Sequence, residues 1–214
     1  MPRPSTRDRL IYTALRLFAE KGYASASVAD VRQAADVHSG SLYHFFPGKQ
    51  DLLLAVLETY RDGIDPMLLQ PAWKGIDDPI EKVFALLASY RRALLQTDCQ
   101  YGCPIGSLAL ELHEPDPPVR ELLASNFDGW VRAVRGCLED ARERLPAGLN
   151  PGELAEFVLT TMEGAVMQAR THREIRYFDS SVRQLRAYFD LLLRKAPLAK
   201  RKTNAKVKKR RKAG

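Results

Sequence analysis

Several things are scarce in this 214-residue chain, and each scarcity excludes something. Cysteine occurs three times, at Cys99, Cys103 and Cys137, too few and too odd a number for a disulfide framework; a reducing cytoplasm is the plain expectation. No run of about 18 apolar residues exists, so no membrane span is expected. The N-terminus meets Arg7, Asp8 and Arg9 before any apolar stretch, which argues against a secretory signal. The four histidines, His38, His44, His113 and His172, are scattered and build no metal site, and no cofactor is expected. Seven residues separate Gly40 from Gly48 where a Walker loop has four, and Gln50 fills the place of a magnesium-binding hydroxyl, so "SGSLYHFFPGK" is not a Walker loop. Pro115 breaks "LHEP" as a zinc-protease helix, and no Gly-x-Ser-x-Gly elbow is present. Nothing in this inventory points to an enzyme. Acid is missing from the last fifteen residues, which hold nine Lys or Arg; the chain carries +7, leaving the remainder at −2. The basic character is a tail.

Strand alternation and internal repeats are also missing, and the punctuation that is present is helical. An all-α fold is expected. Ser5 with Asp8 and Ser27 with Asp30 resemble capping boxes, and Gly22 sits where a left-handed residue would stop the first helix. A third helix over Ser39–Phe46 ends at Pro47, and a fourth begins near Lys49. Gly63, Pro66, Pro71 and Gly75 mark a loose connector. Beyond it, Asp78-Pro79, Asp116-Pro117 and Asn150-Pro151 each put a capping side chain before a first-turn proline. Glu81 and Glu153 are placed to complete two of these boxes. Helices are expected at about 79–97, 104–113, 117–145, 151–172 and 181–195. The domains then run 1–48 for a small N-terminal head and 49–75 for a connecting helix and linker. A larger helical domain follows at 76–196, with a basic, disordered tail at 197–214.

Ser27–Ala35, the turn Asp36-Val37-His38 and Ser39–Phe46 have the lengths of a helix-turn-helix. Val31, Val37, Leu42 and either Phe45 or Phe46 would fill its core. Ser39, Ser41, Tyr43 and His44 would then face outward, short or planar hydrogen-bonding groups with no carboxylate to repel a duplex. Gly40 allows close approach to a phosphate, and Lys49 offers a point charge to another.

With "AEKGYASASVADVRQAADVHSGSLYHFFPGKQDLLLAV", residues 19–56, the chain resembles the tetracycline-repressor (TetR) family of bacterial transcription regulators. "SLYHFFPGKQDLL" is the most specific portion. The resemblance implies an N-terminal three-helix DNA-binding head joined to a C-terminal helical ligand-binding and dimerisation domain. It implies phosphate contacts at Ser27, Ser41, Tyr43 and Lys49, and positions near base edges at His38, Ser39, Leu42 and His44. Asp36 replaces the usual turn glycine, which Asp tolerates because it visits left-handed conformations. His38 replaces a common capping Ser, so Ser39 is expected to cap one residue late.

In the C-terminal part, "CQYGCPIGSLALEL" resembles a branch of the family with Gly-Cys-Pro/Leu at the start of a helix. Phe84, Tyr101, Cys103, Trp130, Met162 and Met167 are candidate ligand-pocket residues, each of which could equally be core. Cys103 at a helix start would have its thiol acidified by unpaired amides, or be a small buried hydrophobe. The last two helices are expected to pair with their copies in a dimer, with Gly164 permitting close approach. The resulting expectation is a homodimeric, ligand-responsive repressor in the bacterial cytoplasm, held to the nucleoid by DNA. Its partners would be a palindromic double-stranded operator and an apolar, aromatic or electrophilic small-molecule inducer. The alternatives are an architectural DNA binder driven by the tail, or a helical enzyme.

Overall fold

The computed structural model describes residues 4–195, and the basic tail expected at 197–214 lies outside the described residues. Among the described residues every regular element is helical. The head comprises α1 (Thr6–Lys21), α2 (Val28–Ala34) and α3 (Ser39–Phe45), resting on α4 (Lys49–Gly63). Both capping boxes form. Ser5 accepts from the Asp8 amide at 3.1 Å while Asp8 accepts from the Ser5 amide at 3.3 Å. The Ser27 and Asp30 bonds are 3.0 and 2.8 Å. Leu10, Ala14, Phe18, Val31, Leu42 and Phe46 close the small core between these helices. Phe46, not Phe45, is the buried one of the pair.

The expected loose connector is helical. Out of α4 the chain continues as a π-helix, Ile64–Leu69, and then as α5 (Gln70–Trp73). Pro66 lacks the amide for an ordinary i→i−4 bond, and the backbone widens instead, with the Gln70 amide reaching the Asp65 carbonyl.

Next come α6 (Pro79–Gln96), α7 (Pro104–Glu111), α8 (Pro117–Asp140), α9 (Pro151–His172) and α10 (Arg176–Lys195). Asp78 caps α6 through the Ile80 and Glu81 amides at 2.8 and 3.1 Å, and Asn150 caps α9 through the Gly152 amide at 2.9 Å. Asp116 makes no side-chain cap. Neither of the expected boxes here closes. Glu81 is instead held by both guanidinium nitrogens of Arg186 in α10, and Glu153 accepts from the Asn150 side chain. The last helix starts five residues before the expected 181, because Phe178 is buried and Asp179 is held by Arg91 in a two-point bond of 2.7 and 3.0 Å. α8 stops at Asp140 and a short 3-10 turn, Arg142–Arg144, carries the chain on to Leu145.

The two parts are joined by packing as well as by chain. α4 runs from the head along α8, where Asn126 is buried and donates to the Leu57 and Leu122 carbonyls at 3.1 and 2.8 Å.

Candidate DNA-binding head and ligand cavity

On α3 the side chains of Ser39, Ser41, Tyr43 and His44 are exposed, with Tyr43 the most open of the head's aromatics at 58%. Gly40 and His38 are exposed at the helix start. Leu42 is fully buried. It points into the core, away from any duplex on the outer face, so the base-edge position assigned to it is corrected to packing. His38 occupies the N-cap without a side-chain bond, and Ser39 is already the first helical residue, so the late cap expected of Ser39 does not form. Asp36 adopts φ 52°, the left-handed turn expected of it. Arg9 of α1 holds that turn, donating to the Ala35 and Asp36 carbonyls at 2.7 Å each. Those carbonyls belong to the end of α2, where no helical partner exists for them.

Ser27 is exposed, and its hydroxyl is shared with its capping role. Lys49 is half-buried: its ammonium donates to the Ala24 carbonyl at 3.2 Å and lies 4.3 Å from the centre of the Tyr23 ring. Burial lowers its pKa, against the opposing pull of Glu111 and Asp30. Two of its three protons remain for another acceptor.

The same loop is gripped from the other side. Glu111, the last residue of α7, accepts from the Tyr23 and Ala24 amides at 2.9 and 2.6 Å. Gly22 makes this approach possible: its φ is 84°, and a Cβ there would stand 3.2 Å from both Glu111 carboxylate oxygens. The loop between α1 and α2 is thus pinned to α7.

The opposite end of α7 borders a cavity of about 340 Å³. Its walls come from α1, α4, the π-helix, α6, α7, α8 and α9, and include five aromatic residues: Tyr12, Tyr60, Tyr90, Phe127 and Trp130. Burial raises the phenol pKa of Tyr60 and Tyr90, so both stay protonated donors at neutral pH. Two of the residues lining this space carry a buried polar atom without a hydrogen bond, Nε1 of Trp130 and Oε1 of Glu163. The other carboxylate oxygen of Glu163 lies against Gly106, where any Cβ would collide with it. Burial pushes the Glu163 carboxyl up from its ordinary value, partly offset by a bond from Cys103.

Of the residues singled out for a pocket, Cys103 and Trp130 line this cavity. Met167, half-exposed on α9, lines an outer groove together with Cys103 and Gly164. Phe84 and Met162 are buried in the core, Phe84 edge-on to Phe189 under the Arg186 guanidinium, and Tyr101 lies at the surface away from both spaces. None of these three lines either space. The acidified thiol is corrected. Cys103 caps α7 within reach of the Ile105 and Gly106 amides, but burial, reinforced by Glu163, outweighs them and raises the thiol well above its ordinary value.

Four functional positions escaped sequence reasoning. Arg9, Glu111 and Asn126 act on backbone groups 26 to 88 residues away, a distance no local pattern encodes. Glu163 had a signal: a lone acid between Leu159, Met162 and Val166 on an otherwise apolar stretch of α9.

On the outer side of α9 and α10, Phe157, Met167, Tyr188 and Leu191 are exposed, with the Phe157 and Tyr188 rings edge-to-face at 5.8 Å. A Cβ on Gly164 would meet nothing within 4 Å in this chain.

Comparison with known proteins agrees with this geometry over nearly the whole described chain. Residues 10–56 match the family described as "Bacterial regulatory proteins, tetR family", and residues 79–185 match "Tetracyclin repressor-like, C-terminal domain". An "uncharacterized HTH-type transcriptional regulator" of Mycobacterium tuberculosis is 32% identical over 199 residues, 89% of this chain and 96% of that protein. The transcriptional repressor DhaR of a Mycobacterium species is 27% identical, over 81% of this chain and 86% of its own. A crystal structure of a TetR regulatory protein from Rhodobacter sphaeroides superposes with a TM-score of 0.76 at 27% identity, covering 84% of this chain and 96% of that one.

Proposed function

We infer the function from the fact that the chain belongs to the TetR family of transcription regulators and is therefore a DNA-binding regulator, not an enzyme. We propose that it acts as a homodimeric repressor, released from a palindromic operator by a small molecule in the α7 cavity. Two copies of α3 enter successive major grooves about one helical turn apart, or a multiple of it. Ser27, Ser41, Tyr43 and Lys49 hold phosphates, with Gly40 letting the backbone approach. His38, Ser39 and His44 lie toward base edges. The partner copy covers the face bearing Phe157, Met167, Tyr188 and Leu191, four apolar side chains on two adjacent helices. The cytoplasm and nucleoid are the expected location.

One observation carries the ligand response. α7 meets the cavity at Cys103–Ile105 and grips the head loop at Glu111, so a ligand that moves one end moves the other. A molecule bound preferentially in the shifted arrangement takes population from the DNA-binding one.

Selection of bound duplexes from a random-sequence pool tests the reading. The expected product is a pair of inverted half-sites with that spacing. A pool without sequence preference overturns it in favour of an architectural binder driven by the basic tail.

A further inference from the structure

Resting on the reading of the α7 cavity as the inducer site, we propose that it selects a lipophilic organic cation. The ligand would be an aryl-alkyl ammonium, its charged nitrogen at Glu163 and its ring among the aromatic walls.

The wall contains one carboxylate, Glu163, and no Lys, Arg or His. Its Oε1 is buried without a donor, so an apolar guest leaves that oxygen as costly as it was. An anionic guest adds repulsion to that cost. An ammonium supplies both charge and an N–H donor, the strong form of hydrogen bond. The faces of Tyr60, Tyr90 and Trp130 carry negative electrostatic potential that favours a cation further, most of all where water is excluded. Gly106 fits the same logic: with no Cβ it leaves room for Oε2 of Glu163 beside the start of α7. Burial raises the carboxyl above its ordinary value, and an arriving cation favours its charged form. Cys103, Tyr12, Tyr60 and Tyr90 are the other titratable side chains in the cavity wall, and burial keeps Cys103, Tyr60 and Tyr90 protonated and uncharged; Glu163 also borders the outer groove, whose wall includes Arg170 and Arg173. The indole N–H of Trp130 lies toward the Tyr90 hydroxyl without a well-formed hydrogen bond. A hydroxyl or ether oxygen on the guest would satisfy it, which favours an ammonium that also carries oxygen.

Calorimetric titration of the full-length protein with three probes of one shape tests this: phenethylammonium, propylbenzene and 3-phenylpropionate. The cation should bind at least about tenfold more tightly than the neutral isostere, and the anion most weakly. In Glu163→Gln the preference should vanish while propylbenzene still binds. Should that variant fail to fold, Glu163→Met takes its place. Equal binding of cation and neutral isostere by the wild-type protein, or an undiminished preference in the variant, overturns the proposal. Operator release, measured alongside, separates this from the inducer reading. If the preferred cation binds but leaves the operator bound, the inducer reading falls and the ligand class stands. If propylbenzene or 3-phenylpropionate binds as well and releases DNA, induction stands and the cation assignment falls.

Discussion

In the head, the helix caps find their partners three residues away in sequence; around the C-terminal cavity, buried polar groups find theirs far along the chain or, for two atoms, make no hydrogen bond. Ser5–Asp8, Ser27–Asp30 and Gly48–Asp51 are all three residues apart. In the larger domain, Asn126 reaches back 69 residues to α4 and Glu111 reaches 87 and 88 residues to the head, while Nε1 of Trp130 and Oε1 of Glu163 make no hydrogen bond. A folded chain rarely leaves buried polar atoms unpaired, and where it does the explanation is often functional. On the proposed reading, the head's outer surface is left for DNA and the cavity of the larger domain for a guest.

The contrast can be broken most severely in the head's core. Leu42→Ala removes a fully buried side chain from a small core and should cost about 3 kcal/mol. Thermal unfolding should show the head melting before the rest, with operator binding lost. Arg9→Ala leaves the Ala35 and Asp36 carbonyls without their donor. A loss of about 1–2 kcal/mol is expected, with weaker operator binding because the turn that aims α3 is loosened. A chemical denaturation curve like that of wild type would place those carbonyls in solvent.

Glu111→Ala sharpens the comparison, since it cuts the link between the two regions. About 1 kcal/mol of stability should go, and amide exchange at Tyr23 and Ala24 should speed up while the rest of the head keeps its protection. Glu163 then gives the two regions different pH responses. Its folded carboxyl titrates above its ordinary 4.5, so the folded state holds the proton more tightly than the unfolded one. The associated stability is full below about 4.5 and is lost as pH rises through the raised value. Glu163→Gln should therefore gain on wild type as pH climbs through that window, read from melting temperatures in a buffer series. A constant difference would mean that the carboxyl is not desolvated. The smallest effect on folding belongs to Tyr43→Phe, whose hydroxyl is exposed. Stability should hold within about 0.5 kcal/mol, while operator affinity falls roughly fivefold for one lost phosphate contact.

The same contrast decides what could be read from sequence. The two capping boxes of the head and the first-turn prolines were legible because each is written within four residues, and the left-handed Asp36 through the resemblance, as the replacement for a turn glycine. The helix-turn-helix frame followed from them, and so did the outward set of Ser39, Ser41, Tyr43 and His44. The connector was misread because Gly63, Pro66, Pro71 and Gly75 look like breakers, whereas a π-turn absorbs Pro66 without leaving the helix. Glu81 fits a capping box by spacing, yet bonds to Arg186 across 105 residues of chain, a partner that local pattern does not reveal. For the cavity, residue type alone could not separate Trp130, which lines it, from Phe84 and Met162, which pack in the core. Helical periodicity marks the apolar side of each helix but not the point where several such sides fail to meet.

The central claim is that α7 transmits between cavity and head through Glu111. A double-mutant cycle on operator affinity tests it without a ligand, using Ile105→Phe to wedge a larger side chain between α7 and the cavity. Ile105→Phe alone should weaken operator binding. In the Glu111→Ala background the same wedge should have little effect, because the displaced helix no longer holds the loop at Tyr23 and Ala24. An equal loss of operator affinity in both backgrounds would contradict transmission through this contact.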